Sequence, residues 1–149
     1  MKKHIVIISL IFFLTHCGFS PIYVKNTNAN FSIENVIYQG DQELNNFLKT
    51  NLNQYKNEKS NRKIFIEARS GYEKIILTKN SSGDVTNYKL LARVTFLIKS
   101  TNEKISISEE KIISSIDDKF EETRKERSVK QNFASSISNK LISELIINK

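Results

Sequence analysis

The sequence has no tryptophan, one cysteine, one proline, one methionine, four glycines and two histidines. Each scarcity removes a class of chemistry. Both histidines, His4 and His16, precede the cysteine, Cys17. Beyond residue 17 there is neither imidazole nor thiol. That excludes Ser-His-Asp and Cys-His catalysis, His or Cys metal sites, and imidazole acid–base work from the rest of the chain. Cys17 has no partner for an internal disulfide. No GxGxxG, P-loop or HExxH pattern occurs. Carboxylates remain, as the adjacent pairs Glu109-Glu110, Asp117-Asp118 and Glu121-Glu122. A spaced carboxylate pair can hydrolyse glycosides. Pairs adjacent in sequence and interleaved with lysines are expected instead to form a solvated charged face. The expectation is a protein that is not an enzyme and has no cofactor and no metal.

The first twenty residues read MKKHIVIISLIFFLTHCGFS. Lys2 and Lys3 form a basic head, and residues 5–14 form an apolar stretch broken only by Ser9. Ten residues are too few for a permanent spanning helix, which needs about 20. They fit a secretory signal. Leu14-Thr15-His16-Cys17 resembles the bacterial lipobox, in which Leu stands three residues before a Cys that is diacylated, with the signal then cut just before it. His16 stands where that motif has Gly, Ala or Ser. One acyl chain, at about 0.8 kcal/mol per buried CH₂, binds a membrane only marginally, so two or three chains on one residue make the lasting anchor. Gly18 follows the cysteine, whereas an Asp there retains lipoproteins in the inner membrane. The expected location is therefore the outer membrane, lipid-anchored at Cys17 on the periplasmic side. Residues 1–16 are expected to be a signal peptide, 17–30 a tether carrying Pro21 and an Asn-rich stretch, and 31–149 one domain. The net charge of +7 suits an anionic partner, and no nucleic-acid partner is expected.

Periodicity gives the elements. Residues 31–38 predict a strand with Phe31, Ile33, Asn35 and Ile37 on one face. Asp41 is placed to cap a helix over 42–55, whose stripe is Leu44, Phe47, Leu48, Leu52 and Tyr55. Residues 63–69 and 72–79 read as two strands separated at Ser70-Gly71. Asn80 to Asp84 reads as a hairpin tip with Gly83 at positive φ. In 87–99, Tyr88, Leu90, Ala92, Val94, Phe96 and Ile98 alternate against Lys89, Leu91, Arg93, Thr95, Leu97 and Lys99, which argues for a sheet with one buried face. Residues 104–116 return as a strand whose phase slips near 109–113, suggesting a bulge. Asp117-Asp118 suits a helix N-terminus. From 119 to about 147, Val129, Phe133, Ile137, Leu141 and Leu145 step by four, with i,i+4 ion pairs expected in the charged first half. The fold class is α+β: a two-layer sandwich of a mostly antiparallel four- to five-stranded sheet with two helices on one face, in the order β-α-β-β-β-β-α.

CGFSPIY behind the lipobox, that element order, and NYKLLARVTFLI in the central strand together resemble the lipopolysaccharide-assembly lipoprotein family, LptE. The resemblance covers essentially the whole chain. It implies a non-enzymatic protein that plugs and helps assemble a large outer-membrane β-barrel of the LptD type, binds lipopolysaccharide and aids its delivery to the outer leaflet. It also implies a basic residue near the second hairpin tip as a lipopolysaccharide contact. Lys79 falls there, with Lys89 and Arg93 on the next strand as possible extensions. Lys79 stands where an Arg would give a bidentate phosphate fork. The alternative is an adaptor lipoprotein of another envelope assembly, also non-enzymatic.

Overall fold

The computed structural model describes residues 30–147. The expected signal, Cys17 and nearly all of the expected tether lie outside the described residues. Four strands and two helices follow in order: β1 (Ser32–Gly40), α1 (Gln42–Asn53), β2 (Lys63–Lys79), β3 (Val85–Ile98), β4 (Glu103–Ser114) and α2 (Lys119–Ile147). The strands lie in the order β1-β2-β3-β4. β1 runs parallel to β2, with α1 as the crossover, and the other two pairings are antiparallel. Both helices cover one face, so the α+β two-layer class read from the sequence is the observed one.

The element order has one strand fewer than expected. Residues 63–79 form a single strand, because Ser70 is held on both sides and Gly71 by β3. Ser70 faces Gly40 on β1 and Val94 on β3, and Gly71 faces Arg93. Ser70 also donates its hydroxyl to the carbonyl oxygens of Gln39 at 3.2 Å and Asp41 at 3.4 Å. A Ser-Gly pair breaks a strand only when no neighbour claims its backbone.

Two strand phases also differ from expectation. In β1 the register skips Glu34, so Val36 and Tyr38 take over the core face from Ile33. Ile37 then points outward and is 49% exposed. In β4 the bulge expected near 109–113 is absent, and the register with β3 runs unbroken from Glu103 to Ser114. Ile113 stays on the core face and Ile112 is 63% exposed on the other. The apparent slip arises because Glu109 sits on the helix-facing side. Its carboxylate accepts hydrogen bonds from Ser136 at 2.7 Å and Lys140 at 2.6 Å, both on α2.

The helix caps, the apolar stripes and the hairpin turn are as expected. Asp41 caps α1 by accepting from the Leu44 amide at 2.7 Å, and Leu44, Leu48 and Leu52 are buried. Asp118 does the same for α2, accepting from the Phe120 amide at 2.8 Å. Val129, Phe133, Ile137, Leu141 and Leu145 all lie in the core, opposite Leu90, Ala92, Val94 and Phe96 of β3. Gly83 has φ +91° at the hairpin tip, and Asn102, at φ +62°, turns β3 into β4.

Candidate functional site

β2 runs for 17 residues from the β1 end of the sheet to the 80–84 tip, roughly 55 Å at strand rise. The 29 residues of α2 reach about 44 Å. The molecule therefore has two distant ends. Phe31, at the start of β1, marks one, and the β2–β3 hairpin marks the other.

At the hairpin end the helical layer stops short of the sheet. Ile76 faces Tyr88, whose own neighbour across β4 is Ile113, so it belongs to the core phase. It is nevertheless half exposed, as are Ile75 and Leu77. A register shift around Leu77 twists the strand end there. Phe120, at the start of α2, is 69% exposed. Between the hairpin and the β4–α2 junction lies an open cleft of about 610 Å³, lined by Asn80, Asp84, Tyr88, Ser115, Asp117 and Lys119 among others.

The three basic residues singled out in the sequence are not gathered into one patch. Lys79 faces Val85 at the hairpin base, exposed and, among the described residues, without a carboxylate within 4 Å. Lys89 faces Ile75 and Arg93 faces Gly71, both on the helix-free face. From Gly71 to Lys79 is roughly 26 Å along β2. Lys89 lies 3.9 Å from Glu110, and Arg93 lies 2.8 Å from Glu73. Their charges are largely answered by those carboxylates. Cys17 lies outside the described residues.

One member of the pairs expected to form a solvated face is buried. Glu122 is 5% exposed. Its Oε1 accepts from Lys74 at 2.7 Å, and its Oε2 lies 3.4 Å from the Ser115 hydroxyl, the Ile116 amide and Lys119. Lys74 also donates to Glu126 at 3.0 Å and stands 4.3 Å from the centre of the Tyr88 ring. Glu126 accepts from the Tyr72 hydroxyl at 2.9 Å. Beyond it, Lys130 lies over the Tyr72 ring at 4.0 Å and reaches Glu43 at 3.0 Å and Asp41 at 3.7 Å. This network links the polar end of the sheet to both helices. The hydrogen bond from Lys74 holds the Glu122 carboxyl down at about 2. Burial disfavours the charge on Lys74, but Glu122 and Glu126 outweigh it and raise its pKa. Burial, reinforced by Glu126, pushes the Tyr72 phenol well above its usual range. One sequence signal pointed to this network: Lys74 occupies the core phase of β2, between Tyr72 and Ile76. In α2 the ion pairs within the charged half are i,i+3, Lys119–Glu122 and Arg124–Glu121, in place of the expected i,i+4 spacing. Lys130 and Arg127 reach across to Glu43 of α1.

Chemically the network is saturated with its own counter-charges. Among the described residues no group of three His, Cys, Asp or Glu side chains could hold a metal ion. No helix among them is long and apolar enough to cross a membrane. The surface at the hairpin end offers apolar side chains beside a free ammonium group, an arrangement that suits an amphipathic anionic molecule.

In fold the chain is similar to solved bacterial lipoproteins. Rare lipoprotein B from Shewanella oneidensis superposes with a TM-score of 0.54 at 11% identity, covering 74% of this chain and 92% of that one. The uncharacterized lipoprotein B of Nitrosomonas europaea gives 0.53 at 15% identity, covering 78% and 85%. A minor lipoprotein from Acinetobacter baumannii gives 0.53 at 14% identity, covering 76% and 93%. No protein-family model and no curated protein matches the sequence. At these identities the likeness is one of fold. The three named proteins are lipoproteins by description, and the lipobox resemblance implies that class for this chain independently.

Proposed function

We propose that this protein is a non-enzymatic lipoprotein of the bacterial envelope, anchored through Cys17 at the periplasmic side of the outer membrane. There it assembles with and plugs an LptD-type β-barrel, binds lipopolysaccharide and aids its delivery to the outer leaflet. The observation that carries the reading is the polarity of the long axis. The end at Phe31, where an anchor at Cys17 would join, lies opposite the hairpin end, where Lys79 stands beside exposed Ile75, Ile76 and Leu77. A domain held at the inner leaflet and presenting an amphipathic tip some 50 Å away is built to reach along a hydrated lumen. The shared fold with lipoproteins supports the anchor. The CGFSPIY and NYKLLARVTFLI resemblance supports the barrel and the lipopolysaccharide.

The adaptor reading has one observation in its favour: Lys89 and Arg93 are already paired with Glu110 and Glu73, and of the three only Lys79 has no carboxylate partner among the described residues. Affinity capture on the C-terminus decides between the two. The expected result is recovery of an outer-membrane barrel, together with loss of surface lipopolysaccharide when the protein is depleted. Unchanged lipopolysaccharide and no barrel would establish the adaptor. Palmitate labelling tests the anchor separately, with label expected in the wild type and absent from Cys17→Ser.

A further inference from the structure

The two edges of the sheet are finished differently. At β1 the skip at Glu34 interrupts the ladder, and irregularities of that kind keep an edge from pairing with another chain. β4 has no such device. It runs for 12 residues without glycine or proline, in unbroken register with β3. Among the described residues no backbone hydrogen bond leaves its outer side, so a row of N–H and C=O groups stands open there. A long open edge is a template for a further strand.

The charges on β4 say which strand. The strand reads EKISISEEKIIS, with an acid-then-base pair at Glu103-Lys104 and again at Glu110-Lys111. Run antiparallel to itself, this order sets acid against base. A two-fold axis perpendicular to the sheet keeps both helical layers on one side, and each residue then faces one of the same phase. With that axis at Ile107, Glu103 faces Lys111 of the second copy and Lys104 faces Glu110. The first pair lies on the helix-covered side, opposite Ile98 and Leu90 of β3, and the second on the helix-free side, opposite Leu97 and Leu91. Moving the axis to Ser106 sets Glu103 against Glu109, and moving it to Ser108 sets the lysines against isoleucines. At Glu109, Glu110 or Lys111 a charge would meet its own copy. Lys104 and Lys111 are exposed, with no carboxylate within 4 Å among the described residues. Glu110 has only the 3.9 Å approach of Lys89 to give up.

We propose that the outer edge of β4 is a docking site for β4 of a second copy of this chain, paired antiparallel about Ile107. Two four-stranded sheets then join into one, with all the helices on the same face. Residues 103–111 of both copies supply about eight to ten backbone hydrogen bonds, and the four ion pairs fix the register. Ser106 faces Ser108 of the other copy, and Glu109, already held by Ser136 and Lys140, faces Ile105. The contact is narrow, so the dimer is weak and depends on concentration. The inference rests on the β4 edge and is independent of the barrel and the lipopolysaccharide.

Native mass spectrometry of the full processed chain, released from detergent over a range of concentrations, tests it. The unaltered protein is expected to give a dimer whose share grows with concentration. Lys104→Glu puts two like-charge contacts into every dimer, and so does Glu110→Lys. Each variant alone should dimerise about tenfold or more weakly, with its thermal midpoint close to that of the unaltered protein because both side chains are exposed. Mixed, the two variants restore attraction at both contacts. With one of them isotopically labelled, the mass should report a mixed dimer as strong as the original. A monomer at every concentration would overturn the proposal, as would a dimer that neither substitution weakens or a mixture that fails to pair. Ser106→Cys mixed with Ser108→Cys gives a second reading with the charges intact. Oxidation is expected to join those two positions across the copies, and disulfides found only elsewhere would refute the pairing.

Discussion

Gly40 and Gly83 both have positive φ, +101° and +91°, yet they differ in what surrounds them. A methyl group on Gly83 would meet nothing within 4 Å. Gly83→Ala should cost only the left-handed backbone term, about 1–2 kcal/mol. A Cβ on Gly40 would lie 1.8 Å from the carbonyl oxygen of Ser70, a backbone atom that cannot swing away. Gly40→Ala must therefore separate β1 from β2 as well as strain its own backbone, and about 3 kcal/mol or more is expected. Urea midpoints for the two variants check the contrast, and equal losses would contradict it. Glu122 makes a prediction in pH. Its folded pKa of about 2 lies below the ordinary 4.5. The unfolded chain thus binds the proton more readily, and stability rises with pH wherever that is so. The contribution is complete above about 4.5 and is lost as the pH falls toward 2. Glu122→Gln, which keeps the shape but not the charge, should flatten the acid limb of a stability–pH curve in this window. A wild-type limb unchanged in the variant would show that other carboxylates carry it.

At the scale of elements, Gly71 is the instructive residue. It lies in the middle of β2, faces Arg93, has no positive φ, and a Cβ there would meet nothing within 4 Å. Gly71→Ala should therefore stabilise the protein by about 0.5–1 kcal/mol, by removing conformational freedom from the unfolded chain. A lower thermal midpoint would mean that the break read at Ser70-Gly71 has a structural use after all. The same residue shows what the sequence reveals and why the rest stays hidden. The alternation of Tyr88 to Ile98 and the four-residue steps of Val129 to Leu145 are local patterns, and both were legible. The continuity of β2, the skip at Glu34 and the true phase of β4 depend on partners distant in the chain: Gly40 for Ser70, Phe65 for Asn35, Lys140 for Glu109. The place of Lys79 at the hairpin base was legible because a hairpin tip has its own signature. The carboxylates that answer Lys89 and Arg93, and the burial of Glu122, were not, since cross-strand register and helix docking decide which opposite charges meet.

For the molecule as a whole, the separation of its two ends ranks the three basic residues. Lys79 lies at the hairpin end beside exposed Ile75, Ile76 and Leu77, with no carboxylate to release among the described residues. Arg93 lies far back along the sheet and must first break a 2.8 Å bond to Glu73 before it can meet a phosphate. An exposed pair of that kind contributes about 0–1 kcal/mol to folding, so replacing either cation leaves the fold intact. On the proposed function, Lys79→Glu should lower lipopolysaccharide retention about tenfold, the effect of a lost charge-assisted contact worth roughly 1.4 kcal/mol. Arg93→Ala should change it less than twofold. Lys89, half way between them and 3.9 Å from Glu110, should fall in between. The measurement is capture of lipopolysaccharide by each purified variant at fixed ionic strength, with thermal midpoints alongside. Equal losses at Lys79 and Arg93 would move the contact from the hairpin end to the middle of the helix-free face. No loss at any of the three would take lipopolysaccharide away from these cations and leave the barrel as the partner to be explained.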